Sequence, residues 1–224
     1  MSGGTDVIHR IHHSEIPELD EIWRVLEATE LPKIPSLAKV FGNEREVARQ
    51  MKALGDTCFK KPPIQIPFDR RWSFRYDEDW VVHLGRMTYD HSTVQATELA
   101  ATVREVFGDE GRLSGFFYYP PGGFKEWHTD FEDPQIDAAT RHWRIYMLRT
   151  TKDAKSWFQY VDAKGRIRKV IDRNGYLNLF SLTEAPPLWH SVYSNTHRWS
   201  VGIKLPPHVI ERLVGQKPNE AADE

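Results

Sequence analysis

Residues 115–130 read GFFYYPPGGFKEWHTD. The stretch opens with an aromatic run, Phe116 to Tyr119, of strand character. It turns through Pro120, Pro121, Gly122 and Gly123 and ends on Trp127-His128-Thr129-Asp130. On an extended backbone successive side chains alternate, so His128 and Asp130 share one face. A neutral imidazole and a carboxylate so placed can hold one metal ion, and the mixed nitrogen and oxygen set favours Fe(II) or Mn(II). His-x-Asp by itself also arises on solvated strand faces. Its meaning depends on what else the chain brings to that face.

Residues 188–193, LWHSVY, form an apolar run carrying one histidine. The turn formers Ser194, Asn195 and Thr196 follow, and then residues 197–205, HRWSVGIKL. The pattern predicts a β-hairpin. With its turn centred on Asn195, His190 lies opposite Ser200 and Val192 opposite Arg198. His190, Arg198 and Ser200 then look into one space, and a slip of one residue would reverse that. Two histidines and a carboxylate on one side of a metal make the facial triad that leaves positions open for non-heme iron chemistry. An arginine with a hydroxyl two residues on suits a bidentate grip on a carboxylate. His197, beside Arg198, is expected to face the other way. Arg141, Arg144 and Arg149 could meet an anionic substrate, the strand register deciding which of them face inward.

At these residues the chain resembles the iron(II)/2-oxoglutarate-dependent oxygenases, in particular the prolyl- and aspartyl-hydroxylase-like branches. Their pattern is His-x-Asp, a distal His, then Arg-x-Ser on the last core strand. The resemblance covers about residues 114–205, under half the chain. It implies that His128, Asp130 and His190 are the catalytic centre and the ligands of Fe(II). It implies 2-oxoglutarate as cosubstrate, its far carboxylate on Arg198 and Ser200, with O2 as the second cosubstrate. Tyr119 matches a cosubstrate-contacting tyrosine, the alternative being a core aromatic. The reaction implied is hydroxylation of an unactivated C–H bond of an amino acid, a peptide side chain or a small metabolite, with release of succinate and CO2. Halogenation would need a small residue in place of Asp130. The interval from His190 to Arg198 is shorter than in many members, which a tighter hairpin would absorb. Two other readings stand beside this one: a cupin-type iron dioxygenase that uses no 2-oxoglutarate, and a non-catalytic cupin-like binding module.

Composition fits a single domain over residues 1–224, with a helical N-terminal region and β-hairpin (1–113), a core (114–205) and a C-terminal tail (206–224). The net charge is −2, which argues against a nucleic-acid partner, although the alternating arginines and aromatics of residues 70–76 have the pattern of a stacking platform. With no apolar run of about 18 residues and no apolar leader, the chain reads as soluble and cytoplasmic with no membrane partner. Cys58 is the only cysteine, so an internal disulfide and a Cys-rich zinc site are excluded. His9, His12 and His13 lack carboxylate or thiol company and read as exposed.

In chain order, a short strand is expected over residues 7–13 and a helix over 14–28, capped by Ser14. A second helix is expected over 44–54, a proline-punctuated loop over 59–68, a hairpin over 70–84 and a third helix over 93–107. From residue 114 the chain shifts to about eight short strands separated by turns, with no intervening helices. That pattern predicts a jelly-roll or cupin barrel, a double-stranded β-helix, with the N-terminal helices packed outside the larger sheet.

Overall fold

Between residues 112 and 205 apolar side chains recur at alternate positions, which gives each strand two faces and requires a layer on each. The computed structural model of the chain describes residues 8–31, 45, 49, 73–75, 80–83, 88–91, 94–129, 142–182, 188–205 and 207–214. The core strands are β5 (Arg112–Tyr119), β6 (Gly123–His128), β7 (His142–Thr150), β8 (Ser156–Val161), β9 (Ile167–Ile171), β10 (Tyr176–Leu182), β11 (His190–Ser194) and β12 (Arg198–Leu205). Their antiparallel pairing is nested: β5 with β12, β6 with β11, β7 with β10, β8 with β9. First pairing with last, and so on inward, is the scheme of a jelly roll, the double-stranded β-helix.

The nested pairs fall into two sheets. The smaller has the order β6-β11-β8-β9. The larger contains β10-β7-β12-β5, extended on one side by β1 (Ile8–His12) and on the other by β4 (Thr88–His91), β3 (Trp80–His83) and β2 (Ser73–Arg75). The fold is therefore mainly β with a jelly-roll core, as the turn-separated strands predict. Glycine is needed at two of its turns. Gly122 (φ 85°) lies between β5 and β6, and Gly175 (φ 79°) follows Asn174 before β10.

Alternation on the larger sheet builds two cores. Trp199, Val201, Ile203 and Leu205 of β12 join Ile145 and Met147 of β7 and Leu177 and Leu179 of β10. These bury with Ile22, Trp23 and Leu26 of α1 (Asp20–Ala28) and Leu99, Val103 and Phe107 of α2 (Val94–Phe107). The alternate residues Tyr119, Tyr146, Leu148 and Phe180 cluster instead with Phe158, Tyr160 and Val192 of the smaller sheet. Burying each such side chain stabilises by about 1.5–3 kcal/mol. The N-terminal helices thus cover the outer face of the larger sheet, and the candidate site lies between the sheets.

Three local expectations change. The helix expected from residue 14 begins only at Asp20, after two short turns of 3-10 helix at His13–Glu15 and Pro17–Leu19. Pro17 forces the preceding Ile16 into extended backbone (φ −129°, ψ 92°), which interrupts any longer helix. His12, not Ser14, makes the cap: its Nδ1 accepts from the Ser14 amide at 3.3 Å, and Glu15 Oε1 accepts from the His12 amide at 3.1 Å. The segment assigned as a tail contains helix α3 (Pro207–Val214), which buries Val209 and Ile210.

The hairpin expected over residues 70–84 forms as β2 against β3, with Ser73 opposite Val82's neighbour His83. The expectations for residues 59–68 lie outside the described residues. So does that for residues 44–54, apart from residues 45 and 49. Among the described residues no helix is long and apolar enough to cross a membrane.

Candidate metal centre

Strict alternation along β6 would set Lys125 and His128 on opposite faces. The observed register avoids this. Val192 of β11 pairs with Lys125, and His190 pairs with His128, so two steps on β11 match three on β6. The extra residue is a β-bulge. It brings Lys125 and His128 together into one cleft while Trp127 remains buried. The cleft is lined by Phe117, Tyr119, Lys125, His128, Tyr146, Phe158, His190, Val192, Arg198 and Ser200.

His128 and His190 face each other across this strand pair, with ring centroids 4.1 Å apart and planes at 54°. The buried His190 ring stacks on Phe158 at 5.3 Å and lies 5.6 Å from Phe180. Its Nδ1 lies 3.1 Å from the Leu188 carbonyl oxygen. A carbonyl can only accept, so Nδ1 carries a proton, and in the neutral ring Nε2 then holds the lone pair. This is the arrangement by which proteins fix a metal-binding imidazole. β6 ends at His128, and Thr129 follows outside the strand. Asp130 lies outside the described residues. Among the described residues no three potential metal ligands come together.

The opposite wall comes from the larger sheet, where Arg198 pairs with Tyr119 and Ser200 with Phe117. The Arg198 guanidinium lies 4.8 Å from the centre of the Tyr119 ring. Its Nε donates to Asp172 Oδ2 at 2.8 Å, the two side chains being 1% and 0% exposed. Nη1 of Arg198 and Oδ1 of Asp172 are buried with no hydrogen-bond partner among the described residues. Tyr119 and Ser200 are both buried and both line the cleft.

The hairpin of residues 188–205 does not form. β11 pairs with β6 and β8, whereas β12 pairs with β5 and β7 in the other sheet. The link between them crosses from sheet to sheet, held by Ser194 Oγ donating to the Thr196 carbonyl at 2.7 Å and by the Asn195 amide donating to the Lys155 carbonyl at 2.7 Å. His190, Arg198 and Ser200 nevertheless line one cleft, because they look inward from facing sheets rather than sideways along one.

His197 faces away, its Nδ1 2.6 Å from the Tyr118 hydroxyl. Burial raises the Tyr118 hydroxyl to about 12 and lowers His197 below its ordinary 6.5. Arg149 reaches the end of α1, donating to the carbonyls of Leu26 and Thr29. Arg144 is buried with Nη1 3.3 Å from the Tyr146 hydroxyl. Neither arginine lines the cleft, and Arg141 lies outside the described residues.

Sequence reasoning missed Lys125 and Asp172. Lys125 reaches the cleft only through the bulge, which leaves no mark in the alternation. Asp172 belongs to a segment that reads as the approach to the Asn174-Gly175 turn, and its partner lies 26 residues on.

No family model and no curated protein matches the chain. Among solved structures it is similar to a prolyl-4-hydroxylase of Pseudomonas putida, with 13% identity over 71% of this chain and 87% of that one at a TM-score of 0.37. It is similar to a prolyl hydroxylase of Trichoplax adhaerens, solved with a hypoxia inducible factor oxygen degradation domain peptide fragment, with 11% identity over 92% and 96% at a TM-score of 0.40. An oxalate oxidase is similar over 44% of this chain and 43% of that one, at 13% identity and a TM-score of 0.30. The fold class rests on the chain's own strand pairing: a jelly-roll protein whose two sheets enclose an imidazole pair and a buried arginine.

Proposed function

We propose that the protein is an Fe(II)- and 2-oxoglutarate-dependent dioxygenase that hydroxylates an amino acid, a peptide side chain or a small metabolite. One observation carries the reading: His128 and His190 share a cleft with a buried arginine whose Nη1 has no partner among the described residues. His128, His190 and Asp130 would hold the iron, an imidazole and carboxylate set suited to that ion. Bound iron would supply activation of dioxygen, with 2-oxoglutarate decarboxylated to succinate and CO2.

The chain's own residues do the rest. Leu188 orients the His190 ring through Nδ1, leaving Nε2 as the ligand nitrogen. Arg198 offers a charged donor to the far carboxylate of the cosubstrate, with Ser200 and Tyr119 beside it. Phe117, Phe158 and Val192 give the cleft apolar walls that strengthen such contacts by excluding water.

The Asp172 contact favours a second reading, a cupin-type iron dioxygenase that uses no 2-oxoglutarate and in which Arg198 serves structure. The deciding experiment is iron-dependent conversion of 2-oxoglutarate to succinate by the purified protein, compared with His128→Ala. Conversion lost in the variant supports the proposal. Iron binding without conversion favours the second reading, and failure to bind iron leaves a non-catalytic module.

A further inference from the structure

Arg198 has two edges, and the fold uses one of them. Asp172 accepts from Nε at 2.8 Å, while Nη1 finds no partner among the described residues. The pair is therefore a single contact on the Nε side and not a closed fork, and Nη1 is left for another anion.

Asp172 is itself held by the backbone on both sides. Its amide donates to the Ser156 carbonyl at 2.9 Å, and its carbonyl accepts from the Ala154 amide at 3.1 Å. The turn that follows is fastened to β7: Asn174 Oδ1 accepts from the Thr150 amide at 3.0 Å, and the Gly175 amide donates to the Leu148 carbonyl at 3.1 Å. The backbone that carries the carboxylate is thus fixed on the scaffold. An arginine side chain has several rotatable bonds, and a tether at Nε together with the Tyr119 ring at 4.8 Å removes most of that freedom.

We propose that Asp172 is a specificity-determining positioning residue that pins Arg198 and thereby sets the chain length of the 2-oxo dicarboxylic acid the cleft accepts. The inference rests on the proposed 2-oxoglutarate reading. The keto-acid end would be fixed at the histidine pair and the far carboxylate at the pinned guanidinium, so only a spacer of matching length reaches both. Charge alone cannot do this. An untethered Arg198 would attract the far carboxylate of a shorter or longer diacid equally well by adapting its rotamer.

The test is equilibrium binding of oxaloacetate, 2-oxoglutarate and 2-oxoadipate to the protein loaded with Mn(II) without oxygen. 2-Oxopentanoate, which lacks the far carboxylate, serves as the control. Wild type is expected to prefer 2-oxoglutarate over both other diacids by about 30-fold or more, the equivalent of one charged hydrogen-bonded contact. In Asp172→Asn the preference is expected to collapse to within about 5-fold, whatever happens to absolute affinity. Asp172→Glu keeps the charge but moves it by one methylene, and is expected to lose the preference too.

Undiminished preference in either folded variant would overturn the inference while leaving the proposed function intact. Failure of both variants to fold would assign the pair to stability and also overturn it. If wild type binds 2-oxoglutarate no better than 2-oxopentanoate, the cosubstrate reading itself falls, and this inference with it.

Discussion

His128 and His190 are direct cross-strand partners, on β6 and β11, with their rings 4.1 Å apart. The bulge in β6 creates this relationship, since it lets His128 share a face with Lys125 three residues earlier. The two imidazoles thus lie side by side on neighbouring strands, with the Nδ1 proton of His190 committed to the Leu188 carbonyl.

The first prediction follows from that pairing. Removing an outer-shell partner of a metal ligand typically costs 10- to 100-fold in affinity, and removing a ligand should cost no less. His128→Ala and His190→Ala are each expected to weaken Fe(II) binding by about 100-fold or more, and Asp130→Ala to act in the same direction. Anaerobic iron titration measures it. Wild-type affinity in both histidine variants would place the metal elsewhere.

Much of the fold was legible because alternation and turn residues are local signals. The strand of residues 156–161, the Asn174-Gly175 turn and the aromatic strand before Pro120 follow from neighbours in sequence. Sheet partnership does not. Ser194, Asn195 and Thr196 carry the composition of a hairpin turn, yet the two strands they join find better partners in opposite sheets. A hairpin would bring His190 and Arg198 to one space along a single sheet, whereas the fold brings them there from two facing sheets. Asp172 could not be found at all, since a buried counter-ion from another strand end has no local signature.

A second prediction concerns how the N-terminal helix is held. Arg149 lies over the Trp199 ring at 4.5 Å and donates to the carbonyls of Leu26 and Thr29, at the negative end of α1. Arg149→Ala leaves those carbonyls without their charged donor and is expected to lower stability by about 1–3 kcal/mol. Iron affinity should be unchanged, because the residue faces away from the cleft. Urea unfolding measured alongside iron titration checks both. A loss of iron affinity at unchanged stability would contradict the assignment.

The third prediction is a pH dependence. Burial lowers the pKa of His197 below 6.5, and that of His12 is lowered too, chiefly by burial. The unfolded chain then binds more protons than the folded one below that value, so stability rises with pH in this window. It is complete above about 6.5 and declines as pH falls towards the folded-state value. Tyr118, raised to about 12, stays protonated throughout and can go on donating only to a neutral His197. His197→Gln keeps an acceptor that does not titrate, and is expected to flatten the decline. Unfolding curves collected from neutral to mildly acidic pH would show it, and an identical slope in the variant would remove His197 as a cause.

The last prediction separates the two roles of Arg198. As an anchor for the far carboxylate of 2-oxoglutarate, a shielded charge-assisted pair contributes about 2–4 kcal/mol. At about 1.4 kcal/mol per decade, Arg198→Ala should raise the apparent requirement for 2-oxoglutarate roughly 30- to 1000-fold. As the partner of Asp172, a carboxylate 0% exposed, Arg198 also shields a buried charge. Its removal alone should cost about 3–5 kcal/mol of stability. Replacing both members, Arg198→Leu with Asp172→Leu, removes the unpaired charge and should recover most of that stability. It cannot recover the affinity, because the donor is gone. Arg198→Lys keeps a charge opposite Asp172 but loses the planar fork, so it should fall between wild type and Arg198→Ala in both properties. Iron binding should change little in any folded variant. Urea unfolding and direct binding of 2-oxoglutarate to the Mn(II)-loaded protein give the two readouts. Binding curves for the stable double variant that superimpose on wild type would remove Arg198 from the cosubstrate site and leave it a purely structural ion pair.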